Sequence, residues 1–142
     1  ADLRYCTADA YFTIKEIDLG MVADLGTLQR LPKLIPDGVV RELAYTGRKL
    51  EADEALRLGL VNRIFPDKTA LLEGVTAVAQ QIAEKSPLSI RGIKRNLLYA
   101  RDHPVADSLD YIANYNAATL LSADLAAAFQ AAVTKQPAKF AD

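Results

Sequence analysis

The first part of the chain alternates between short apolar runs and turn residues, which indicates strands. This pattern predicts two short strands, over residues 2–6 and 10–16. Side chains alternate along a strand, so Phe12, Ile14 and Glu16 are expected to share one face. Glu16 is then either a charge at a strand end that reaches water or an acid that is held inside.

Helix signals begin after Gly20, which marks a turn. Asp24 stands where an N-cap belongs, just before the run LGTLQRL, and aspartate is favoured at that position. The pattern then predicts a helix over residues 39–46, a second over 52–58, and a short strand or extended link over 60–65. Gly47 and Gly59 follow the two helices and are expected to end them.

From residue 67 onward, apolar residues recur at helical spacing. Helices are predicted over residues 68–85, 87–101, 105–121 and from 123 onward. Ser86 followed by Pro87 is a strong start signal, and Ser122 can cap the last helix. The chain is therefore divided into 1–66, with the strands, and 67–142, which is helical. The many alanines on these helices suit an oligomer interface and an ordinary bundle core equally.

Composition narrows the class of protein. The 142 residues are 51% hydrophobic and 25% charged, which is normal for a globular domain. A net charge of −1 provides no positive electrostatic field that would attract nucleic acid or an anionic membrane. No apolar run is long enough to span a membrane. The single Cys6 fits a reducing compartment. The chain enters a strand-like pattern without an initiator Met, so we expect the later part of a longer protein.

Glu16 and Asp24 are the residues whose placement favours chemistry. They are two carboxylates eight positions apart across a glycine turn, and positioned carboxyl groups can serve as general acid and base. Each also has an ordinary explanation, as a strand-end charge and a helix N-cap. Cys6 has no activating partner, and the single His103 beside Pro104 indicates a surface loop and excludes a histidine-based metal cluster. The spacing of Glu16 and Asp24 alone does not decide between a catalytic and a structural role for the two acids.

Three stretches together resemble the crotonase superfamily of enoyl-CoA hydratases and isomerases. They are DLRYCTADAYFTIKEIDLGMVADLGTLQRLPKLI, LAYTGRKLEADEALRLGLVNRIFPD and KSPLSIRGIKRNLLYARDH. The segment TGRKLEADEALRLGLVNRIFP is similar to a stretch that is quite specific to that superfamily. Asp24 favours its dienoyl-CoA isomerases, which carry an aspartate at this position, whereas the hydratases usually carry a small residue.

The resemblance implies an α/β fold, a spiral of ββα units followed by a helical trimerisation region. This chain would supply the last strands and the helices. The implied reaction is the isomerisation of 3,5-dienoyl-CoA to 2,4-dienoyl-CoA in fatty-acid β-oxidation, in which a proton leaves C2 and returns at C6 through a dienolate. Glu16 is implied as the base at C2 and Asp24 as the acid at C6. The Glu16 carboxylate is therefore expected on the inner side of its strand, next to a pocket and near Asp24. No metal and no cofactor are implied, since CoA is part of the substrate.

The implied partners are an acyl-CoA substrate and further copies of the chain, as a trimer or a dimer of trimers, with no nucleic acid and no membrane span. The ending KQPAKFAD resembles hydratase tails, in which Phe140 would approach the CoA adenine of a neighbouring subunit; Ala141 stands where those tails carry lysine. The implied location is intracellular, cytoplasmic in a bacterium and the mitochondrial matrix in a eukaryote.

Other functions stay open beside the isomerase. An enoyl-CoA hydratase would share Glu16 but would not need Asp24. A non-enzymatic crotonase-like assembly fragment would use the helices alone. An RNA-binding member of the superfamily is disfavoured, because the net charge is −1 and no basic patch with aromatic residues is present.

Overall fold

A computed structural model describes residues 1–141, which fall into two compact units, Ala1–Thr76 and a second from Ala77 onward. The first unit contains β1 (Tyr5–Thr7), β2 (Tyr11–Phe12), a 3-10 helix (Lys15–Leu19), α1 (Thr27–Arg30), a second 3-10 helix (Leu31–Lys33), α2 (Asp37–Thr46), β3 (Leu50–Glu51), α3 (Ala52–Arg57), β4 (Arg63–Phe65) and the start of α4 (Lys68–Ala83). The second contains the end of α4, then α5 (Pro87–Ala100), α6 (Val105–Thr119) and α7 (Ala123–Thr134). The division predicted after residue 66 stays a prediction; the compact units separate later, within α4.

Two small sheets hold the first unit together. Strand β1 pairs with β4 in parallel, with Cys6 opposite Ile64, and β2 pairs with β3 in antiparallel, with Phe12 opposite Leu50. The buried cluster lies around them, and Leu50 is only 1% exposed. Its other members include Ile14, Ala23, Ile35, Val40, Leu43, Ala52, Ala55, Leu60 and Val61.

The strand predicted over residues 10–16 is wrong beyond Phe12. Because β2 and β3 are antiparallel, the residues after Phe12 would have to pair with residues before Leu50, but β3 begins only at Leu50, so no ladder remains for them. The chain instead turns into the 3-10 helix that contains Glu16. The expected alternation of Phe12, Ile14 and Glu16 on one strand face therefore fails. The other predicted strands are real but shorter, at Tyr5–Thr7 and Arg63–Phe65.

The helical predictions are confirmed to within a few residues at each end. Gly47 and Gly59 have left-handed backbone angles, with φ of 62° and 77°, as expected of residues that follow a helix end. The Ser86 Oγ accepts a hydrogen bond from the Ser89 N–H at 3.0 Å, and the Ser122 Oγ accepts one from Leu125 at 3.2 Å. Both predicted serine N-caps are thus present.

The second unit is built from helices in close contact, and among its residues up to 141 only Gly92 is buried. In α5 and α6, Gly92 faces Tyr115 so closely that a Cβ atom there would lie 2.6 Å from the ring Cε1 atom. Among residues 1–141, no single helix is long and apolar enough to cross a membrane; α6 and α7 would qualify together by length and composition, but they are bent by 79°.

Candidate active site

The 3-10 helix Lys15–Leu19 fixes the backbone of Glu16. Buried Ile14 precedes it, and Gly20, with φ of 67°, ends it. The Met21 N–H donates to the Glu16 carbonyl oxygen at 3.0 Å, so the chain folds back immediately after the helix. The Lys15 ammonium pairs with Asp18 on this helix. Glu16 is therefore placed by a short turn with both ends anchored.

A cavity of about 340 Å³ lies beside Glu16. Apart from Glu16, its wall is formed by Ile17, Met21, Val22, Ala23, Leu28, Pro32, Asp37, Val40, Arg41, Ala44 and Tyr45. Within residues 1–141, no hydrogen bond or ion pair engages the Glu16 carboxylate. The sequence-based expectation that Glu16 lies next to a pocket is thus met, although through a helix and not through a strand. A carboxylate without a partner, on a residue that lines a mostly apolar cavity, can serve as a general base if it reaches the substrate.

Asp24 is exposed in the segment between Gly20 and helix α1. The prediction that it caps this helix is wrong, because α1 begins at Thr27 and Gly26 occupies the N-cap position. Among the described residues that line the cavity, its neighbour Ala23 is present and Asp24 is not. The structure therefore places Glu16 at the cavity and Asp24 outside it, on the adjoining loop.

The side of the cavity formed by α2 carries a polar strip, defined here as Asp37, Arg41 and Tyr45. The Arg41 Nε donates to the Asp37 carboxylate at 2.6 Å, and its Nη1 donates to the Tyr45 hydroxyl at 3.3 Å. These hydrogen bonds, above all the one to Asp37, hold the pKa of Arg41 above its usual value. The sequence reasoning missed this strip; its signal was the spacing of four residues along one helix face.

The TGRK segment holds the end of α2 near the helix that contains Glu16. The Thr13 Oγ1 donates to the Gly47 carbonyl at 2.9 Å, and a Cβ atom on Gly47 would lie 3.1 Å from the Ile17 Cγ2 atom. The Arg48 guanidinium donates two hydrogen bonds to Glu54, at 2.8 and 2.9 Å. This pairing lowers the pKa of Glu54. The segment that carried the family resemblance is thus a structural support for the Glu16 region.

The other candidate groups have ordinary environments. Cys6 is buried, and burial raises the pKa of its thiol, which disfavours the reactive thiolate. His103 is exposed, as expected; its Nδ1 lies 2.7 Å from the Tyr99 carbonyl oxygen and its ring stacks on Tyr99. Residues 1–141 contain no cluster of three metal-ligating side chains.

Phe140 lies in the second unit and is half-buried. It lines a cavity of about 330 Å³ formed by α5, α6 and α7, and a second of about 430 Å³ whose wall includes Lys85 and Lys139. Its predicted contact with a CoA adenine stays a prediction.

The family model described as enoyl-CoA hydratase/isomerase matches residues 1–142. The chain belongs to the enoyl-CoA hydratase/isomerase family. This confirms the resemblance, and with it the predicted crotonase fold class. A crystal structure of enoyl-CoA hydratase from Mycobacterium tuberculosis H37Rv superposes with a TM-score of 0.93 at 31% identity, covering 99% of this chain and 56% of that one.

Two curated relatives are more similar in sequence. The mitochondrial Delta(3,5)-Delta(2,4)-dienoyl-CoA isomerase of Rattus norvegicus is 51% identical over 139 residues, which are 97% of this chain and 42% of the relative. The peroxisomal enzyme of the same name from Arabidopsis thaliana is 48% identical over 99% of this chain and 50% of the relative. The chain thus spans half or less of the length of these two relatives.

Proposed function

We propose that the protein that carries this chain isomerises 3,5-dienoyl-CoA to 2,4-dienoyl-CoA in fatty-acid β-oxidation. The observation that carries the proposal is the 51% identity to the rat dienoyl-CoA isomerase across 97% of the chain. The geometry supports it in one respect, because Glu16, whose carboxylate has no hydrogen bond or ion pair within residues 1–141, lines a mostly apolar cavity. The activity, the substrate and the partners of the whole protein are proposals, since the chain spans 42% of that relative.

The proposed reaction moves one proton in and one proton out. Glu16 removes a proton from C2, and the electron pair spreads through the diene onto the thioester oxygen as a dienolate. A proton from Asp24 returns at C6, so the double bonds move from positions 3 and 5 to positions 2 and 4. Glu16 ends the cycle protonated and Asp24 ionised, and exchange with water restores both. No cofactor takes part, because CoA belongs to the substrate.

The dienolate oxygen needs hydrogen-bond donors, which supply the largest stabilisation in reactions of this kind. We expect backbone N–H groups for this role from family sequence outside these 142 residues. Glu16 and Asp24 are the two proton-handling groups that we assign within them. In this proposal Asp24 reaches the substrate from the loop that leaves the cavity wall at Ala23.

The test is Asp24→Asn and Glu16→Gln in the full-length protein, assayed by the absorbance of the conjugated dienoyl-CoA product. Each substitution is expected to lower kcat by about 10²- to 10⁴-fold, the usual contribution of a general acid or base. Asp24 caps no helix, so its substitution should leave the melting temperature unchanged. Asp53→Asn, an exposed acid on α3 outside the cavity wall, is the matched control. Full isomerase activity in Asp24→Asn would remove Asp24 from the mechanism.

An enoyl-CoA hydratase is the second candidate, favoured by the hydratase structures that share the fold. A hydratase would add water across C2 and C3 and would use Glu16 without Asp24. Crotonyl-CoA hydration, measured beside isomerisation, separates the two. Strong hydration without isomerisation in the wild type would support the hydratase. Absence of both activities would favour the non-enzymatic assembly role.

We also propose a homo-oligomer, a trimer or a dimer of trimers, that covers the apolar helices of the second unit. Exposed large apolar side chains there include Leu97, Leu109, Leu120, Leu121, Phe129 and Val133. Patches of this kind mark interaction sites. In such an assembly Phe140 would reach the CoA adenine of a neighbouring subunit. A monomer in light scattering of the intact protein would contradict this.

The proposed location follows the relatives. The rat enzyme is named mitochondrial and the Arabidopsis enzyme peroxisomal. We infer an intracellular enzyme, in the mitochondrial matrix of a eukaryote or the cytoplasm of a bacterium. Fractionation of the source cells, followed by immunodetection, tests this.

A further inference from the structure

The polar strip and the apolar wall of the cavity are adjacent faces of one helix. Residues Val40 and Ala44 are four positions apart on α2 and line the cavity from its core side; Val40 is only 3% exposed. Asp37, Arg41 and Tyr45 line the same cavity one position further around the helix, and all three are exposed. The strip is therefore the outer rim of the cavity, and the apolar stripe is its inner wall.

The rim is held in one arrangement by its own hydrogen bonds. Arg41 lies between Asp37 and Tyr45 and donates to both, at 2.6 and 3.3 Å. The Arg41 side chain is 61% exposed, so water hydrates the charged pair. Covering the pair with an alkyl chain would strip that water without supplying a replacement hydrogen bond, which is unfavourable. An alkyl group is thus favoured along Val40 and Ala44 and opposed at the rim.

We propose that Arg41, fixed by Asp37 and Tyr45, sets the longest acyl chain that the cavity accepts. This inference rests on the proposed function, since it takes the acyl tail of a CoA thioester as the occupant. The inner wall binds successive methylene groups until the chain reaches the rim. Beyond that length, further methylene groups remain in water and add nothing to binding.

The test measures the affinity of the full-length protein for saturated acyl-CoAs from six to sixteen carbons by titration calorimetry. Each methylene buried in the cavity is expected to improve affinity by about fourfold. The wild type should show this gain up to a limiting length and then a plateau. In Arg41→Met, the plateau should move to chains at least two carbons longer, because the methionine side chain presents an apolar surface where the charged pair stood.

Two further variants separate the rim from general effects of charge. Arg41→Lys keeps a cation opposite Asp37 and should plateau at the wild-type length. Arg57→Met removes an exposed arginine of α3, outside the cavity wall, and should also match the wild type. Methionine and arginine have similar helix propensity, so melting temperatures should agree among all variants. The ratio of kcat/KM between long and short 3,5-dienoyl-CoAs should rise only in Arg41→Met.

The outcomes distinguish the inference from the function on which it rests. Binding with the same plateau in the wild type and in Arg41→Met would overturn the role of Arg41 alone. A plateau that shifts equally in Arg57→Met would also overturn it, since the effect would then be one of net charge. Failure of the wild type to bind any acyl-CoA would overturn the proposed function itself.

Discussion

The two units differ in where their apolar side chains lie. All twelve buried apolar residues of the described chain fall between Cys6 and Phe65, in the first unit. In the second unit, as far as residue 141, Gly92 is the buried residue, while Leu121 is 96% exposed. The first unit therefore has an interior of its own, and the second has well-formed helices whose apolar faces point outward.

This difference shows that helix formation and burial are separate consequences of one sequence pattern. Apolar residues at helical spacing predicted the second unit well, because local propensity and the serine caps are sufficient to define helix ends. The same pattern does not say what covers the apolar face. In the first unit, two short sheets close over the helices, and Leu50 becomes nearly inaccessible. Substitutions in the two units can test this contrast.

The largest expected effect is on the interior of the first unit. Leu50→Ala should lower the free energy of unfolding by about 2 to 5 kcal/mol, because it leaves a cavity at a buried site. Urea unfolding of the full-length protein, repeated at several protein concentrations, measures this loss of stability. The loss should be the same at every protein concentration. Leu121→Ala is the comparison. Any loss of stability in that variant should depend on the protein concentration, since Leu121 would act through assembly. An equal, concentration-independent loss in both would remove the contrast between the units.

Two helix glycines test how firmly each unit is packed. A Cβ atom on Gly74 would lie 2.2 Å from the Cε1 atom of Phe65, which is buried and cannot withdraw. Gly74→Ala should therefore destabilise by about 1 to 3 kcal/mol despite better helix propensity. In Gly92→Ala the new methyl group would contact half-buried Tyr115. The loss of stability should be smaller there, because the Tyr115 ring has more room to move.

The control for both is Gly38→Ala in α2, where a Cβ atom meets nothing within 4 Å. This variant should gain stability, by up to about 1 kcal/mol, from helix propensity alone. Thermal unfolding of the three variants supplies the comparison. A stable Gly74→Ala protein would show that the first unit adapts as easily as the second.

A smaller effect is expected at the helix starts of the second unit. Ser86→Ala removes the N-cap of α5 and also the hydrogen bond from Ser86 to Asp124 at the start of α7. Loss of a serine cap costs about 1 kcal/mol. Ser122→Ala removes only a cap, so it should cost less. Circular dichroism during thermal unfolding measures both, and equal losses would show that the Ser86–Asp124 contact contributes nothing.

The sequence was sufficient for the helices and insufficient for the site geometry. Ser86, Ser122 and Gly47 were identified correctly, since capping and left-handed turns are local properties of a few residues. The strand through Glu16 was not, because strand length depends on a partner distant in sequence, and that partner, β3, begins only at Leu50, opposite Phe12.

The candidate site was likewise predicted only in part. The sequence placed Glu16 beside a pocket, and the structure agrees. It also predicted Asp24 as a helix cap and as a neighbour of Glu16; the cap is wrong, and the pairing stays a prediction. The Asp37–Arg41–Tyr45 strip was missed, although its spacing of four residues was visible, because exposed charges on a helix usually have no further role.

The smallest expected effect is a pH dependence in the first unit. The hydrogen bonds from Arg48 lower the pKa of Glu54 below its usual value. A carboxyl group with a lowered pKa in the folded state stabilises the protein above its unfolded pKa, and this contribution is lost as the pH falls through the folded value. Stability should therefore decline on acidification through the range below pH 4.5.

Glu54→Gln isolates this contribution, since glutamine keeps the size of the side chain and removes the titrating group. The difference in melting temperature between the wild type and Glu54→Gln should be present at pH 7 and should shrink as the pH is lowered. The pair is partly exposed, so salt should weaken the difference as well. Glu73→Gln, at an exposed position on α4 in the same unit, is the matched control for the loss of one negative charge. A difference in Glu54→Gln that is constant from pH 7 to pH 3 would show that Arg48 holds Glu54 by geometry and not by charge.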